Sequence, residues 1–315
     1  MKSYVHPELR PLLDFLPVVD FERDSLAEIR GSTDMGAFGA SADENDLVTV
    51  SIHSVPGLPG NPPVDVYLYR PTTQAEPCPA ILHIHGGGFI MGSPLIMDAI
   101  NRQQAADLGC VIVSVVYRLA PETAFPGAIE DCYAALAWLH ANSESLGVDR
   151  TRIGVKGESA GGGLAAGLAL MARDRGEIAL AFQNLMAPML DDRTCLRTDL
   201  GHCVGEILWT PDHNRFGWTA LLGQVPGGEG VSPYAAPARA LDVSGLPPTF
   251  ISVGSLDLFL EENLAYAGRL AAAGVPVELR VVPGAFHGFD LIPGVGISAQ
   301  ARLASQESMR SIVVA

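Results

Sequence analysis

The chain has 315 residues, of which 48% are hydrophobic and 17% charged, and its formal net charge at neutral pH is −15. This composition predicts a globular protein with one large domain, or with one domain and a lid. The acidic balance, together with the lack of any run of five or more Lys or Arg in the sequence, argues against a phosphate-backbone partner, so no nucleic acid is expected.

The amino-terminal segment and the cysteines indicate an intracellular protein. Residues 1–16 (MKSYVHPELRPLLDFL) lack the unbroken apolar segment of a secretory signal, and no stretch reaches the roughly 18 apolar residues that span a bilayer. We therefore expect a cytoplasmic protein without membrane insertion. The five cysteines form an odd set without CxxC spacing, which favours buried thiols over disulfides or a zinc site: Cys78, Cys110, Cys132, Cys195 and Cys203.

Between about residues 47 and 291, apolar runs typical of strands alternate with stretches of helical periodicity. This alternation predicts an α/β protein with a mostly parallel central sheet flanked by helices. The predicted strands are Val64–Tyr69, Ala80–His85, Val111–Val116, Arg152–Val155, Ala179–Met186, Thr249–Val253 and Val277–Val282. The predicted helices include Ala128–Ala141, Leu164–Ala172 and Glu261–Ala273.

Two segments interrupt the alternation, residues 1–45 and 190–233. Both lack strand signals, and together they are typical of a helical cap folded over the carboxyl edge of the sheet. The predicted division is therefore an N-terminal part of the cap over 1–45, a core over 46–189, a second cap insertion over 190–233, and core again over 234–315.

The stretch VKGESAGGG, residues 155–163, places a serine between glycines at the end of an apolar run. A predicted strand ends just before Ser159, and a predicted helix rich in Ala and Leu follows it. A side chain at such a corner is lifted clear of both elements, and small neighbours let the backbone bend without clashes. Ser159 is therefore the candidate nucleophile.

A serine nucleophile needs a base that takes its proton and an acid that orients the base. Because ligands of open α/β sheets lie beyond the carboxyl ends of the strands, both partners should follow strands. Of the eight histidines, His287 in VVPGAFHGF follows a strand late in the chain and is the predicted base. Asp257 in FISVGSLDLF directly follows a strand and is the predicted acid. Glu261 and Glu262 are the alternative, although a structural role at a helix start would explain both.

The stretch LHIHGGGF, residues 82–89, ends a predicted strand with three successive glycines. Bare glycine backbone can direct its N–H groups toward the charge that develops on a substrate oxygen. No Lys-Ser/Thr pair follows the glycines, which argues against a nucleotide-binding loop. The expected oxyanion donors are the N–H groups of Gly87, Gly88 and Ala160.

Five motifs give the chain a resemblance to a known family: HGGGF, YRLAPETAFPGAIEDCYAALAWL, GESAGG, GLPPTFISVGSLDLF and GVPVELRVVPGAFHGF. In order and spacing they resemble the hormone-sensitive-lipase branch of the α/β-hydrolase superfamily, bacterial family IV, over roughly residues 65–290. The resemblance implies an α/β-hydrolase fold with a helical cap formed by the two insertions. It also implies that Ser159 is the nucleophile, His287 the base and Asp257 its partner.

Two positions depart from the family pattern. Glu158 stands where the family usually carries Asp, and Glu261 stands where many relatives have a second Asp. Glu158 keeps the charge, and structural tuning explains Glu261 better than a change of reaction. In the YRLAPE motif, Tyr117, Arg118 and Glu122 are interpreted as a scaffold that braces the loops.

These residues together predict a serine esterase that hydrolyses short- to medium-chain carboxylic esters through an acyl-enzyme intermediate, with no metal or organic cofactor. By resemblance, capped enzymes of this kind favour such acyl groups over long lipids. The predicted pocket walls are Phe89, Leu208, Trp209, Phe216 and Trp218.

Two alternatives remain open from the sequence. Some plant members that resemble this family are receptors that bind a small molecule after losing a triad residue, although this sequence retains all three. The second alternative keeps the fold and the triad but acts on amides or eliminates water from an unusual substrate, and nothing in the sequence excludes it. The expected partner is a small-molecule ester, and the resemblance further suggests a homodimer paired through the strand near Thr249–Val253.

Overall fold

The computed structural model describes residues 2–16, 20–21, 25–34, 47–75, 77–201 and 203–313. Eight strands form one sheet in the order β1-β2-β4-β3-β5-β6-β7-β8. The strands are β1 Val48–Val55, β2 Val64–Pro71, β3 Cys78–Ile84, β4 Val111–Val116, β5 Val148–Glu158, β6 Gln183–Met186, β7 Thr249–Gly254 and β8 Val277–Val282.

The sheet is parallel from β4 through β8, and β2 pairs antiparallel with both β1 and β4. Strands β3, β6 and β7 are buried along their whole length, which fits the mostly apolar sequences of β3 and β7, whereas β6 also buries Gln183 and Asn184. The predicted α/β-hydrolase fold with a mostly parallel sheet is confirmed. Strand β1 was not predicted, because four of its eight residues are polar and only its two ends are buried.

Helices cover both faces of the sheet. They are α1 Leu26–Asp34, α2 Asp98–Leu108, α3 Gly127–Ala141, α4 Ala160–Arg175, α5 Pro211–Leu222, α6 Leu260–Ala272 and α7 Gly296–Val313. Helices α3, α4 and α6 share the large apolar cluster on one face, whereas α2 and α7 contact each other on the opposite face. Short 3-10 segments occur at Arg10–Phe15, Pro94–Met97, Asp192–Leu196, Pro237–Arg239 and Phe289–Leu291. None of the helices within the described ranges is both long and apolar enough to cross a membrane.

The segment 190–233 carries a 3-10 turn and α5, and no strand occurs among its described residues. Carboxylates of a lid are usually solvated, but one carboxylate of this segment is buried. Asp192 is fully buried and accepts hydrogen bonds from the Arg239 guanidinium at 2.6 and 2.9 Å. Asp192 therefore ties this segment to the core. The division of the chain into cap and core remains a prediction, and its boundary near residue 45 lies outside the described residues.

The amino-terminal segment packs against the far end of the chain. The backbone N–H of His6 donates to the carbonyl of Gly284 at 2.8 Å. Val5 and Leu9 are fully buried in an apolar cluster that also contains Ala285 and Phe286. The first described residues thus support the loop that follows β8.

The predicted pairing of two chains through Thr249–Val253 is wrong. This stretch belongs to β7, which is hydrogen-bonded to β6 on one side and to β8 on the other. Since both of its edges are occupied within the chain, β7 has no free edge to offer. The edge strand on this side of the sheet is β8.

Candidate active site

Ser159 lies at the corner between β5 and α4, as the sequence predicts. Strand β5 ends at Glu158 and α4 begins at Ala160, and the φ and ψ of Ser159 are 54° and −121°, a strained conformation for a residue with a Cβ. Its backbone N–H donates to Met186 O at 2.8 Å, and its carbonyl accepts from the N–H of Met189 at 2.9 Å. These bonds hold the strained corner in place.

The glycines around Ser159 are required by close backbone packing. A Cβ on Gly157 would lie 2.2 Å from Gly161 O, and a Cβ on Gly161 would lie 2.1 Å from Ile84 O. Neither position has room for a side chain. The glycines of the GESAGG stretch therefore let β3, β5 and α4 approach one another closely enough to form the corner.

His287 and Asp257 reach Ser159 from the loops after β8 and β7. The Nε2 atom of His287 lies 2.8 Å from Ser159 Oγ, and its Nδ1 atom lies 2.8 Å from Asp257 Oδ2. The other carboxylate oxygen of Asp257 accepts the N–H of Phe259 at 2.9 Å. Asp257 is almost fully buried and His287 is 9% exposed. The three side chains thus form one continuous chain of hydrogen bonds.

Two opposing effects set the pKa of His287. Burial disfavours the charged imidazolium, but the charge of Asp257 and its hydrogen bond outweigh burial, and the charge of nearby Asp290 adds to them, so the pKa of His287 is raised. Burial and the charge of Glu158 in turn raise the pKa of Asp290 to about 6. A histidine with a raised pKa is a stronger base toward a serine hydroxyl.

The alternative acids are engaged elsewhere. Glu262 is buried, and its carboxyl accepts from the backbone N–H of Leu190 and the hydroxyl of Thr194. Glu261 is exposed and pairs with Arg197. Neither carboxyl is hydrogen-bonded to the histidine, so the geometry favours Asp257 as its orienting acid.

The glycine loop after β3 runs beside Ser159. A Cβ on Gly86 would lie 3.4 Å from the Cβ of Ser159. In the described part of the chain, no acceptor is found for the backbone N–H groups of Gly87 and Gly88. The N–H of Ala160 belongs to the first turn of α4, where no earlier turn supplies an acceptor. These groups are available to an anionic substrate oxygen.

A buried polar network lies beneath the corner. The carboxylate of Glu158 accepts from Lys156 Nζ and lies 2.9 Å from His83 Nε2, while His83 Nδ1 lies 2.7 Å from Ser114 Oγ. Burial alone would raise the pKa of Glu158, but Lys156 and His83 outweigh burial and lower it to about 2. The network was not predicted, because its members come from β3, β4 and β5.

The predicted pocket residues occupy two layers. Trp209 packs on Gly88, and its ring centroid lies 6.3 Å from that of His287. Leu208 is partly buried, and Phe216 is 36% exposed. Phe89 and Trp218 lie deeper, with at most 1% of their surface exposed and their ring centroids 5.2 Å apart. They form a support behind the first layer.

Two residues near this site were missed by sequence reasoning, Phe21 and Arg30. The ring of Phe21 stacks on Phe216 at 4.8 Å and meets Trp209 edge-on at 6.4 Å. The guanidinium of Arg30 donates to the carbonyl of Ile90, just past the glycine loop, at 2.7 Å. Both lie in the amino-terminal segment, where no motif or periodicity distinguishes them.

Comparison with known proteins gives concordant matches. The family model described as alpha/beta hydrolase fold matches residues 81–291. The esterase LipI of Mycobacterium tuberculosis is 36% identical over 255 residues, which cover 80% of this chain and 77% of the relative. The carboxylesterase NlhH of the same organism is 33% identical over 291 residues, covering 90% of this chain and 88% of the relative.

Among solved structures, a bacterial heroin esterase superposes with a TM-score of 0.93 at 42% sequence identity. The match covers 99% of this chain and 98% of that protein. The likeness therefore includes the segments outside the sheet as well as the sheet itself.

Proposed function

The chain belongs to the family of the alpha/beta hydrolase fold, and from this we propose that it is a serine carboxylesterase that cleaves short- to medium-chain carboxylic esters. The observation that carries the proposal is the chain of hydrogen bonds from Ser159 Oγ through His287 to Asp257. Its relatives and structural neighbours include an esterase, a carboxylesterase and a heroin esterase.

Acylation follows from this geometry. His287 Nε2 takes the hydroxyl proton of Ser159 as the serine oxygen bonds to the ester carbonyl carbon, and Asp257 stabilises the imidazolium that forms. The carbonyl oxygen becomes an oxyanion, which the N–H groups of Gly88, Gly87 and Ala160 stabilise. The imidazolium then gives its proton to the leaving alkoxide, and the alcohol departs.

Deacylation repeats these steps with water. His287 takes a proton from a water molecule, whose oxygen attacks the acyl carbon held by Ser159. The same N–H donors stabilise the second oxyanion. When this intermediate collapses, the proton on His287 returns to the serine oxygen and the carboxylic acid is released, which restores the free enzyme.

The preference for short to medium acyl groups is proposed from the aromatic residues over the site. Phe21 contacts both Trp209 and Phe216, and Trp209 packs on Gly88 of the glycine loop; bulky rings of this kind close an apolar pocket at one end. Each buried methylene contributes roughly 0.8 kcal/mol only while the pocket has room for it.

A panel of p-nitrophenyl esters, assayed with the wild type and with Ser159→Ala, tests the proposal. The wild type should hydrolyse the butyrate, and the variant should lose about a million-fold in kcat while its circular dichroism spectrum stays unchanged. Retention of a tenth of the activity by Ser159→Ala would overturn the assignment of the nucleophile. Binding of esters by the wild type without turnover would instead favour a receptor-like member, and cleavage of p-nitroanilides alone would favour an amidase.

A further inference from the structure

The glycine loop has an unusual backbone conformation. Three successive residues have positive φ angles, Gly87 at 121°, Gly88 at 61° and Phe89 at 69°. For Phe89, which carries a Cβ, the left-handed region is unfavourable and persists only where the surroundings enforce it. Within the loop, the N–H groups of Ile90 and Met91 donate to Gly87 O at 3.1 and 3.0 Å, and contacts from outside the loop add to these bonds.

Helix α5 supplies one such contact. Gly217 lies against the loop so closely that a Cβ there would be 2.7 Å from Gly88 O. Trp209, just before the helix, also packs on this glycine, since a Cβ on Gly88 would be 2.1 Å from the tip of the indole. The indole is oriented by α5, since its Nε1 donates to Asn214 Oδ1 at 3.3 Å. Gly88 is therefore in close contact with two residues of the segment 190–233.

Helix α1 supplies the second contact. Arg30 Nε donates to Ile90 O at 2.7 Å, and Arg30 Nη2 donates to Ala120 O at 3.0 Å. The N–H of Ala120 in turn donates to Phe89 O at 2.9 Å. The Arg30 guanidinium thus connects the carbonyl of Ile90 to that of Ala120, the residue whose N–H binds Phe89 O. Glu122, on the solvent side, accepts from both terminal nitrogens of Arg30.

We propose that Gly217 and Arg30 are positioning residues, which act on the reaction by clamping the Gly88–Phe89 backbone from two sides. They do not touch the reacting atoms. They hold the Gly88 N–H in the direction in which it stabilises the oxyanion, so the segments that cover the site also set the rate of turnover. The effect on catalysis rests on the proposed esterase function, whereas the effect on the loop does not.

The first test compares two helix glycines. Gly217→Ala adds a methyl group that must displace Gly88 O, whereas Gly268→Ala in α6 adds one where no atom lies within 4 Å. Alanine is more favourable than glycine in a helix interior, so neither substitution weakens its helix through propensity. The midpoint of urea unfolding should therefore rise for Gly268→Ala. We expect kcat to fall by about tenfold to a hundredfold in Gly217→Ala alone, with KM within about threefold.

The second test compares two arginines. Arg30→Lys keeps the charge beside Glu122 but loses the planar fork that reaches Ile90 O and Ala120 O together. Arg215→Lys is the matched control, since Arg215 is exposed on α5 and only loosely paired with Asp212 at 3.6 Å. We expect about a tenfold lower kcat in Arg30→Lys and an unchanged kcat in the control.

Two readouts separate positioning from loss of folded protein. Titration of the active sites with a p-nitrophenyl phosphonate gives kcat per functional site, and amide hydrogen exchange of the peptide 86–91 reports on the loop without any substrate. The clamp predicts a lower kcat per site and faster exchange in Gly217→Ala and Arg30→Lys only. Unchanged kcat per site, a rise in KM alone, or equal effects in the controls would refute the clamp.

Failure of the parent proposal gives a different result. If the wild type neither hydrolyses esters nor reacts with the phosphonate, the esterase function fails. Hydrogen exchange of the peptide 86–91 then decides the clamp on its own, since faster exchange in Gly217→Ala and Arg30→Lys supports it and unchanged exchange overturns it.

Discussion

His287 can take a proton from Ser159 only as the neutral imidazole. Because burial is outweighed by Asp257 and the pKa of His287 is raised, we expect kcat/KM to fall on acidification with a midpoint above the ordinary histidine value of about 6.5. The same shift stabilises the folded protein below the unfolded pKa, and that contribution is lost as pH rises through the folded pKa. A pH profile of kcat/KM for p-nitrophenyl butyrate measures the midpoint, and a midpoint below the ordinary value of about 6.5 contradicts the expectation.

The orienting acid can be tested with two carboxamide substitutions. Asp257→Asn should lower kcat on the order of ten-thousand-fold, because the amide favours the wrong histidine tautomer. Glu261→Gln should leave kcat within about threefold, since Glu261 pairs with Arg197 at the surface, where such pairs contribute little. Steady-state kinetics measure kcat for both variants. A larger loss of kcat in Glu261→Gln than in Asp257→Asn would identify Glu261 as the acid that orients the histidine.

Gly88 is a third residue with a specific expected outcome. Its φ of 61° disfavours any side chain, and a Cβ would meet the indole of Trp209 at 2.1 Å. We expect Gly88→Val to lower kcat by roughly a hundredfold or more, mainly through a displaced oxyanion donor, with a smaller effect on KM. Active-site titration followed by kinetics measures this, and wild-type turnover by a folded variant would remove the loop from the mechanism.

Among the single residues, those that follow strands were predictable from the sequence. Ser159, Asp257 and His287 each follow an apolar run, and parallel strands bring such positions to one edge. Arg30 could not be found in this way, because it reaches Ile90 O and Ala120 O only through the tertiary fold. A lone arginine in a helix carries no local signal of its partners.

At the level of single elements, β5 is unusual because its buried part contains two charged residues. It is buried over its last six residues, yet two of them, Lys156 and Glu158, are charged and paired with each other. Long apolar strands were recognised from sequence, but the extent of β5 was underestimated at both ends, since charged residues normally terminate a buried strand. Lys156 and Glu158 neutralise each other within β5, but the further contact of Glu158 with His83 on β3 is not visible in the sequence of β5 itself.

Removal of one partner from this pair should be costly. Glu158→Gln leaves the ammonium of Lys156 buried without a counter-charge, and we expect a loss of about 3 kcal/mol in the free energy of unfolding. Glu278→Gln is the control, because Glu278 and Arg280 form an exposed pair on β8 whose loss should change stability by less than about 1 kcal/mol. Urea unfolding measures both, and similar small changes in the two variants would contradict the expectation.

The Glu158 carboxyl should also affect how stability depends on pH in acid. The pKa of Glu158 in the folded protein is about 2, well below the roughly 4.3 of an unfolded glutamate. Its contribution to stability is therefore complete above the unfolded pKa and is lost as pH falls from about 4 toward 2. Over that range the stability of Glu158→Gln should decline less steeply than that of the wild type, and parallel acid-unfolding curves would count against this account.

For the whole molecule, the covering segments should limit the acyl chain. We expect hydrolysis rates to peak at roughly four to eight acyl carbons, where the gain per methylene meets the closed end of the pocket. Phe216→Ala, which removes the ring stacked on Phe21, should move the peak to longer chains, whereas Phe15→Ala, at a ring 83% exposed on the surface, should not. Faster hydrolysis of the palmitate than of the butyrate by the wild type would indicate an open pocket and a lipase.

The sheet and its helices were predictable for the whole molecule, because the apolar alternation of an α/β protein repeats along most of the chain. What could not be predicted is how segments distant in sequence meet. The apolar cluster that contains Val5, Leu9, Ala285 and Phe286 joins early residues of the chain to the loop after β8. Such contacts depend on the closed fold, and local sequence patterns do not report them.

The contact between the amino-terminal segment and the loop after β8 affects when the site is completed during biosynthesis. On the ribosome, Ser159 and the glycine loop are made well before His287, whose loop rests on the apolar cluster shared by the first and last parts of the chain. Contacts of such long sequence separation form late, after the loop between them has closed. A nascent chain that does not yet contain residue 287 thus carries the serine without its proposed base, so on the proposed mechanism we expect hydrolysis to begin only after the loop that follows β8 has been made and has packed against the amino-terminal segment.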